Sequence, residues 1–135
     1  MFPVEKIMTK DVISVTPDMP VYEALDILVK NKISGVPVVD QEMNVVGILS
    51  EKDVLKILLE KTTNPKAVVE DYMARNVICF KETDSVMDVC KFFVSNHYRR
   101  VPIVRDGKLV GIVSRRNLLT VIIEAKTTLT PFRYS

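Results

Sequence analysis

Residues 46–53 read VGILSEKD and residues 110–117 read VGIVSRRN, one phrase written twice, 64 positions apart, in a chain of 135 residues. Each copy sets apolar residues around a glycine. The first follows them with Ser50 and Asp53, the second with Ser114 and Asn117. Such a phrase is either a fold device used twice or one half each of a binding site.

The likeness runs outward from it. VEKIMTKDVISV from Val4 aligns with VEDYMARNVICF from Val69, and VYEALDILVKNKISGVPVVD from Val21 with VMDVCKFFVSNHYRRVPIVR from Val86. The offset is 65 through VPVV and VPIV and 64 at the glycines, because the turn DQEMN is one residue longer than RDGK. This self-similarity defines a first repeat over 4–59 and a second over 69–123. Residues 60–68 between them are polar and contain Pro65, as a linker does, and the tail 124–135 has no period. Phe132 and Tyr134 in that tail are candidates to dock on the body of the protein.

Each repeat reads as strand, helix, strand, strand, helix. Val4, Ile7 and Met8 have helical spacing for a short turn, matched by Val69, Tyr72 and Met73. VISV and VICF are β-branched or aromatic runs, hence strands. The next helix carries Val21, Ala24, Leu25 and Leu28 on one face, mirrored by Val86, Val89, Cys90 and Phe93. Asp18 and Thr83 are its candidate N-caps. GVPVVD and VVGIL form a hairpin, as do RVPIVR and LVGIV. Pro37 and Pro102, lacking an N–H, are expected at strand starts or edges. Closing helices begin at Ser50, with Val54, Leu55, Leu58 and Leu59 apolar, and at Ser114, with Leu118, Leu119, Ile122 and Ile123.

Composition bounds the function. With 47% hydrophobic and 27% charged residues, the chain is a globular one. A unit of about 60 residues buries only roughly 60% of its unfolded surface, so the halves need each other. No stretch approaches the roughly 18–20 apolar residues that span a bilayer. The opening MFPVEKIMTK lacks the apolar core of a signal peptide, so a cytoplasmic protein with no membrane association is expected. Cys79 and Cys90 have neither framework nor metal spacing and read as buried free thiols. All seven arginines lie in 68–135, which carries a net charge of +4 against −2 for 1–67. Arg suits bidentate contact with phosphate or carboxylate.

This unit, written twice, resembles a tandem pair of CBS (cystathionine β-synthase) domains standing alone. The resemblance rests on IMTKDVISVTPDMPVYEAL, NKISGVPVVD and GILSEKDVL with their second-repeat counterparts, and covers nearly the whole chain. It implies an α/β fold (α+β by some schemes) of two pseudo-two-fold-related β-α-β-β-α repeats packed through their sheets, with two clefts. It also implies binding of AMP, ADP, ATP or S-adenosylmethionine as a regulatory ligand, a homodimer, and regulation of a protein partner.

The same resemblance assigns site residues. Asp53 would accept bonds from the ribose hydroxyls, with Ser50 and the helix N-terminus near a phosphate. Arg100 and Arg116 would serve the same cleft. Ser114, Asn117, Arg99 and Lys52 would form the other, where Asn117 replaces the carboxylate and offers a weaker grip on a diol. Ile13, Ile78, Ile48, Ile112, Pro37 and Pro102 would line an adenine slot. Every assignment has a plainer counterpart. Ser50 with Asp53 is also a capping box, the basic side chains suit any solvated surface, and core packing accounts for the apolar residues. His97, the sole histidine, sits at a helix end without metal-ligand partners.

No nucleophile–base–orienter set and no G-x-x-x-x-G-K-[ST] loop is present, so a non-enzymatic module with no catalytic cofactor and no metal is expected. Two further readings stand beside the ligand sensor. One is a constitutive oligomerisation or protein-interaction module with vestigial clefts. The other, nucleic-acid binding through the arginine-rich half, lacks interleaved exposed aromatics.

Overall fold

The computed structural model describes residues 2–61 and 64–129; Phe132 and Tyr134 lie outside them. The chain forms two compact units whose membership differs from the order of the sequence. Of the described residues, one takes those in 13–78 with 106–109, the other 2–12, 79–105 and 110–129. The leading segment of each repeat therefore belongs to the unit built by the body of the other.

The first unit holds α1 (Val21–Asn31), β1 (Gly35–Val39), β2 (Val45–Ser50) and α2 (Glu51–Leu55). A 3-10 turn, Lys56–Leu59, continues from α2, and another, Val69–Asp71, brings in the leader of the second repeat. α1 buries Val21, Ala24 and Leu28, the 3–4 spacing expected of one helical face. β1 and β2 pair antiparallel, Pro37 opposite Ile48. Val15, Val36, Val38, Leu49, Val69 and Met73 complete the core.

The second unit opens with the 3-10 turn Val4–Lys6, then β3 (Phe80–Lys81), α3 (Val86–Ser95), β4 (Arg100–Arg105), β5 (Lys108–Ser114) and α4 (Arg115–Leu129). The strands lie in the order β3-β4-β5, with β3 parallel to β4. Val4, Val86, Val89, Phe93, Val101, Ile103, Val113 and Leu118 are its core. The two-residue turn at Asp106 and Gly107 has φ of 52° and 81°, the left-handed pair that an Asp-Gly hairpin supplies.

Three local expectations need correction. VISV is not a strand: only Val15 pairs, in a parallel bridge to Val38. VICF yields just Phe80, extended by Lys81. The difference has a covalent cause. In the second unit the Glu82 N–H donates to the Val104 carbonyl at 3.2 Å and carries the ladder on. The corresponding residue of the first repeat is Pro17, which has no N–H to give.

The helix caps also shift. Pro20 is the N-cap of α1 and makes no side-chain bond, while Asp18 accepts instead from the Thr16 hydroxyl at 2.8 Å. Ser85 rather than Thr83 caps α3, its Oγ accepting the Met87 N–H at 3.1 Å. Finally, Pro37 and Pro102 are each the third residue of their strand; Pro37 lies on β1, an edge of its two-stranded sheet as expected, whereas Pro102 is at neither a start nor an edge. Pro102 lies on the middle strand, but β3 pairs from Ile103 onward, so no bond to β3 is lost there.

Candidate functional site

The repeated phrase runs along β2 into α2, and along β5 into α4, and in both places it ends in a closed turn. In the first, the Ser50 N–H donates to Asp53 Oδ2 at 3.1 Å and the Ser50 hydroxyl to the same oxygen at 2.8 Å. The Asp53 N–H donates back to Ser50 Oγ at 3.3 Å. This is the reciprocal capping box, satisfying backbone donors that a helix start leaves without partners. In the second, the Ser114 N–H and hydroxyl donate to Asn117 Oδ1 at 2.8 and 2.9 Å, and the Asn117 N–H returns to Ser114 Oγ at 3.3 Å. All four side chains are half-buried, within reach of solvent.

The helices behind these turns differ. α2 ends after five residues and tightens into a 3-10 turn, whereas α4 runs for fifteen. The macrodipole expected behind Ser50 is correspondingly short. Acidic Glu51 and Asp53 occupy the first turn of α2. Arg115 and Arg116 occupy the first turn of α4, which contains no acid.

Each turn is fastened behind as well. The Glu51 N–H donates to the Ser34 carbonyl at 2.9 Å in one unit, and the Arg115 N–H to the Arg99 carbonyl at 3.1 Å in the other. The second unit adds a strap. The Arg115 guanidinium donates to the carbonyls of Tyr98 (2.9 Å) and Asn96 (3.3 Å), holding the segment that carries Arg99 and Arg100.

The remaining expected residues distribute as follows. In the first unit Pro37 is buried, Ile48 half-buried and Lys52 exposed. Ile13 and Ile78 are 39% and 44% exposed, so core packing does not explain them. In the second unit Pro102 is buried, Ile112 and Arg100 are half-buried, and Arg99, Arg116 and His97 are exposed. Among the described residues no side chain hydrogen-bonds or pairs with the guanidinium of Arg99 or Arg116. Arg105, by contrast, grips Glu82 with two bonds, the second of 2.6 Å, which draws the Glu82 carboxyl below its usual range. Cys79 and Cys90 are free and half-buried, and burial pushes the Cys79 thiol up.

Two features went unread in the sequence. The Arg115 strap has no spacing signal, because carbonyl acceptors carry no residue identity. The second feature had one. Met8 and Met73 repeat in register with Gly111 and Gly47, and each methionine packs on the glycine of its own unit.

The comparisons place this geometry in a family. The CBS domain family matches residues 4–60 and again 69–124. The chain belongs to the CBS-domain family and carries two such domains in tandem. It is 31% identical to CBSX1, a chloroplastic CBS domain-containing protein of Arabidopsis thaliana, over 93% of this chain and 66% of that protein. It is 38% identical to inosine-5'-monophosphate dehydrogenase of Methanocaldococcus jannaschii, but spans only 22% of that enzyme. Among solved structures, CBSX2 in complex with AMP superposes with a TM-score of 0.84 at 30% identity, covering 93% of this chain and 99% of that one. The CBS domain pair of protein MJ0100, in complex with 5-methylthioadenosine and S-adenosyl-L-methionine, gives 0.78 at 30% identity, covering 92% and 98%. Among the described residues no helix is long and apolar enough to cross a membrane.

Proposed function

We propose that this chain is a regulatory module that binds an adenine-containing ligand, AMP, ADP, ATP or S-adenosylmethionine, and passes its occupancy to a protein partner. The observation that carries this reading is the state of Asp53: the cap uses only Oδ2, which leaves Oδ1 of a half-buried carboxylate to receive a ribose diol. The adenine ligands of CBSX2 and of the MJ0100 pair support the ligand class. In this proposal Lys52, Arg99, Arg100 and Arg116 supply cations for a phosphate or carboxylate. Ile13, Ile48, Ile78, Ile112, Pro37 and Pro102 supply apolar contact for the base, and Ser50, Ser114 and Asn117 hold the turns. The ligand acts by binding one arrangement of the protein more tightly than another, since a ligand of equal affinity for both shifts nothing. The module acts without catalysis, in the cytoplasm.

Thermal unfolding of wild type and Asp53→Ala against the four ligands tests it. A ligand at 100 times its Kd adds about 2.7 kcal/mol, which raises Tm by several degrees in a chain of this size. One ligand should stabilise the wild type and lose its effect in Asp53→Ala. If none moves Tm, Ser50 and Asp53 are caps alone.

The second reading is a constitutive oligomerisation module. Leu58 and Leu59 are 83% and 84% exposed in the first unit, Ile122 and Ile123 59% and 65% in the second. Apolar closing faces of this kind suit the homodimer that the family resemblance implies.

A further inference from the structure

Met8 and Met73 hold matching places in the two repeats, but they differ in access to water. Met73 belongs to the buried core of its unit, at 9% exposure. Met8 is only half-buried and packs at the margin of the other core. Each thioether fills the place that a side chain on the facing glycine would take. At Gly111 the three atoms nearest a Cβ are Sδ, Cγ and Cβ of Met8, the last two at 2.8 and 3.1 Å. Methionine makes a soft apolar plug for such a seat, and its sulfur is the atom that an oxidant attacks.

The seat has no place for an oxygen. Sδ stands against the glycine backbone, so a sulfoxide oxygen must turn into the apolar residues around Met8 or out toward water. The backbone donors of this seam are taken. The N–H groups of Met8, Thr9 and Ile112 donate to the carbonyls of Val4, Ile112 and Thr9 at 3.0, 2.8 and 3.0 Å. A polar group buried without a hydrogen bond is costly, so the oxidised side chain leaves the glycine for solvent. Thr9, whose two bonds to Ile112 close this end of the leading segment, is the next residue along the chain.

We propose that Met8 is a reversible oxidation site, where a peroxide converts the thioether to the sulfoxide and frees the Thr9–Ile112 end of the leading segment from the second unit. One peroxide oxygen forms the S–O bond as the O–O bond breaks; sulfur gives up two electrons and water leaves. Methionine sulfoxide reductases remove that oxygen again, so the change is reversible. Met73, shut in its core, keeps the first unit's leader seated under the same oxidant. The chain thus carries a redox input on one repeat only, and this input stands whether or not an adenine ligand binds.

Hydrogen peroxide treatment of the full chain tests this, with peptide mass spectrometry for the oxidised sites and amide exchange followed residue by residue by NMR. Met43 and Met87, 43% and 45% exposed, should oxidise first and mark the unhindered rate. Met8 should follow, about fivefold or more faster than Met73. Its oxidation should speed exchange at Thr9 and Ile112 by about tenfold or more while leaving Ile48 and Ala74 unchanged, and reductase treatment should restore protection. Met8→Leu keeps an apolar side chain of similar volume and should stay protected under peroxide. Met8→Gln should exchange like the oxidised wild type without any peroxide. Met8 reacting no faster than Met73, protection at Thr9 and Ile112 surviving Met8 oxidation, or equal loss in peroxide-treated Met8→Leu overturns the proposal. Circular dichroism checks that the variants fold, and the wild-type time course decides alone if they do not.

Discussion

The thioether of Met73 stands where a side chain on Gly47 would begin: a Cβ there would lie 2.7 Å from Met73 Sδ and 2.9 Å from the Ala74 carbonyl oxygen. Ile48 and Ala74 exchange backbone hydrogen bonds of 2.9 and 2.8 Å beside it, so the two backbones are held together. In the other unit Met8 covers Gly111, its Cγ 2.8 Å from the Cβ position, and Thr9 and Ile112 exchange bonds of 2.8 and 3.0 Å. The glycine of VGIL and VGIV is thus a fold device that seats the leading segment, while the serine after it opens the capped turn of the closing helix.

Gly47→Ala should destabilise the protein by about 1–3 kcal/mol, the usual cost of overpacking. Gly111→Ala should cost less, since the three atoms nearest its Cβ all belong to the flexible Met8 side chain and none to backbone. Urea unfolding of the two variants checks the order, and equal costs would sink the account.

Val4 is fully buried although it lies at the very start of the chain. Val4→Ala should cost about 2 kcal/mol through the lost methyls and the space they leave. Val94→Ala, at a site 83% exposed, is the control and should stay within about 0.5 kcal/mol of wild type. A Val4→Ala midpoint as close as that would mean the leader is not part of the core.

Ser50→Ala and Ser114→Ala each remove a reciprocal cap and should each lower stability by about 1 kcal/mol. Neither effect needs a ligand, so it shows in the free protein by chemical denaturation. No loss in either variant would argue against the capping bonds.

Glu82 should make the protein acid-sensitive. Its bonds to Arg105 hold its carboxyl below the ordinary 4.5, so the unfolded chain takes up this proton first as pH falls. The stabilisation is complete above the unfolded value and is lost as pH drops through the folded one. Glu82→Gln should therefore melt below wild type at pH 7, with the gap narrowing below pH 4.5. A gap that is constant with pH would remove the ion pair as its cause.

Exposed Leu58 and Ile122 offer a test of assembly. If closing faces of this kind join two chains, Leu58→Lys and Ile122→Lys should shift sedimentation from dimer to monomer while leaving each chain folded. A monomeric wild type would end the dimer expectation.

Periodicity alone determined much of the protein. The apolar faces of α1 and α3 and both hairpins were legible, because side-chain burial follows periods of 3.6 and 2 that the chain carries locally. The closing helices were only half so, since α2 ends at Leu55 and Leu58, Leu59, Leu119, Ile122 and Ile123 stand exposed. So was Ser50-x-x-Asp53, because a capping box is a four-residue event. Tertiary structure decided the rest. That Val4 is buried with Val86 and Val101, and Val69 with Val15 and Leu28, cannot be read from a repeat whose two leaders place the same apolar Val and Met in register and would suit either body. The leading strand of the first repeat shrank to one bridge where that of the second keeps a pair of residues, because parallel pairing depends on which N–H meets which carbonyl, and Pro17 has none to offer. The chemistry of Asn117 was half legible. Its amide was in the sequence, but only the folded turn decides that the oxygen faces inward, because the Ser114 N–H can do nothing but donate.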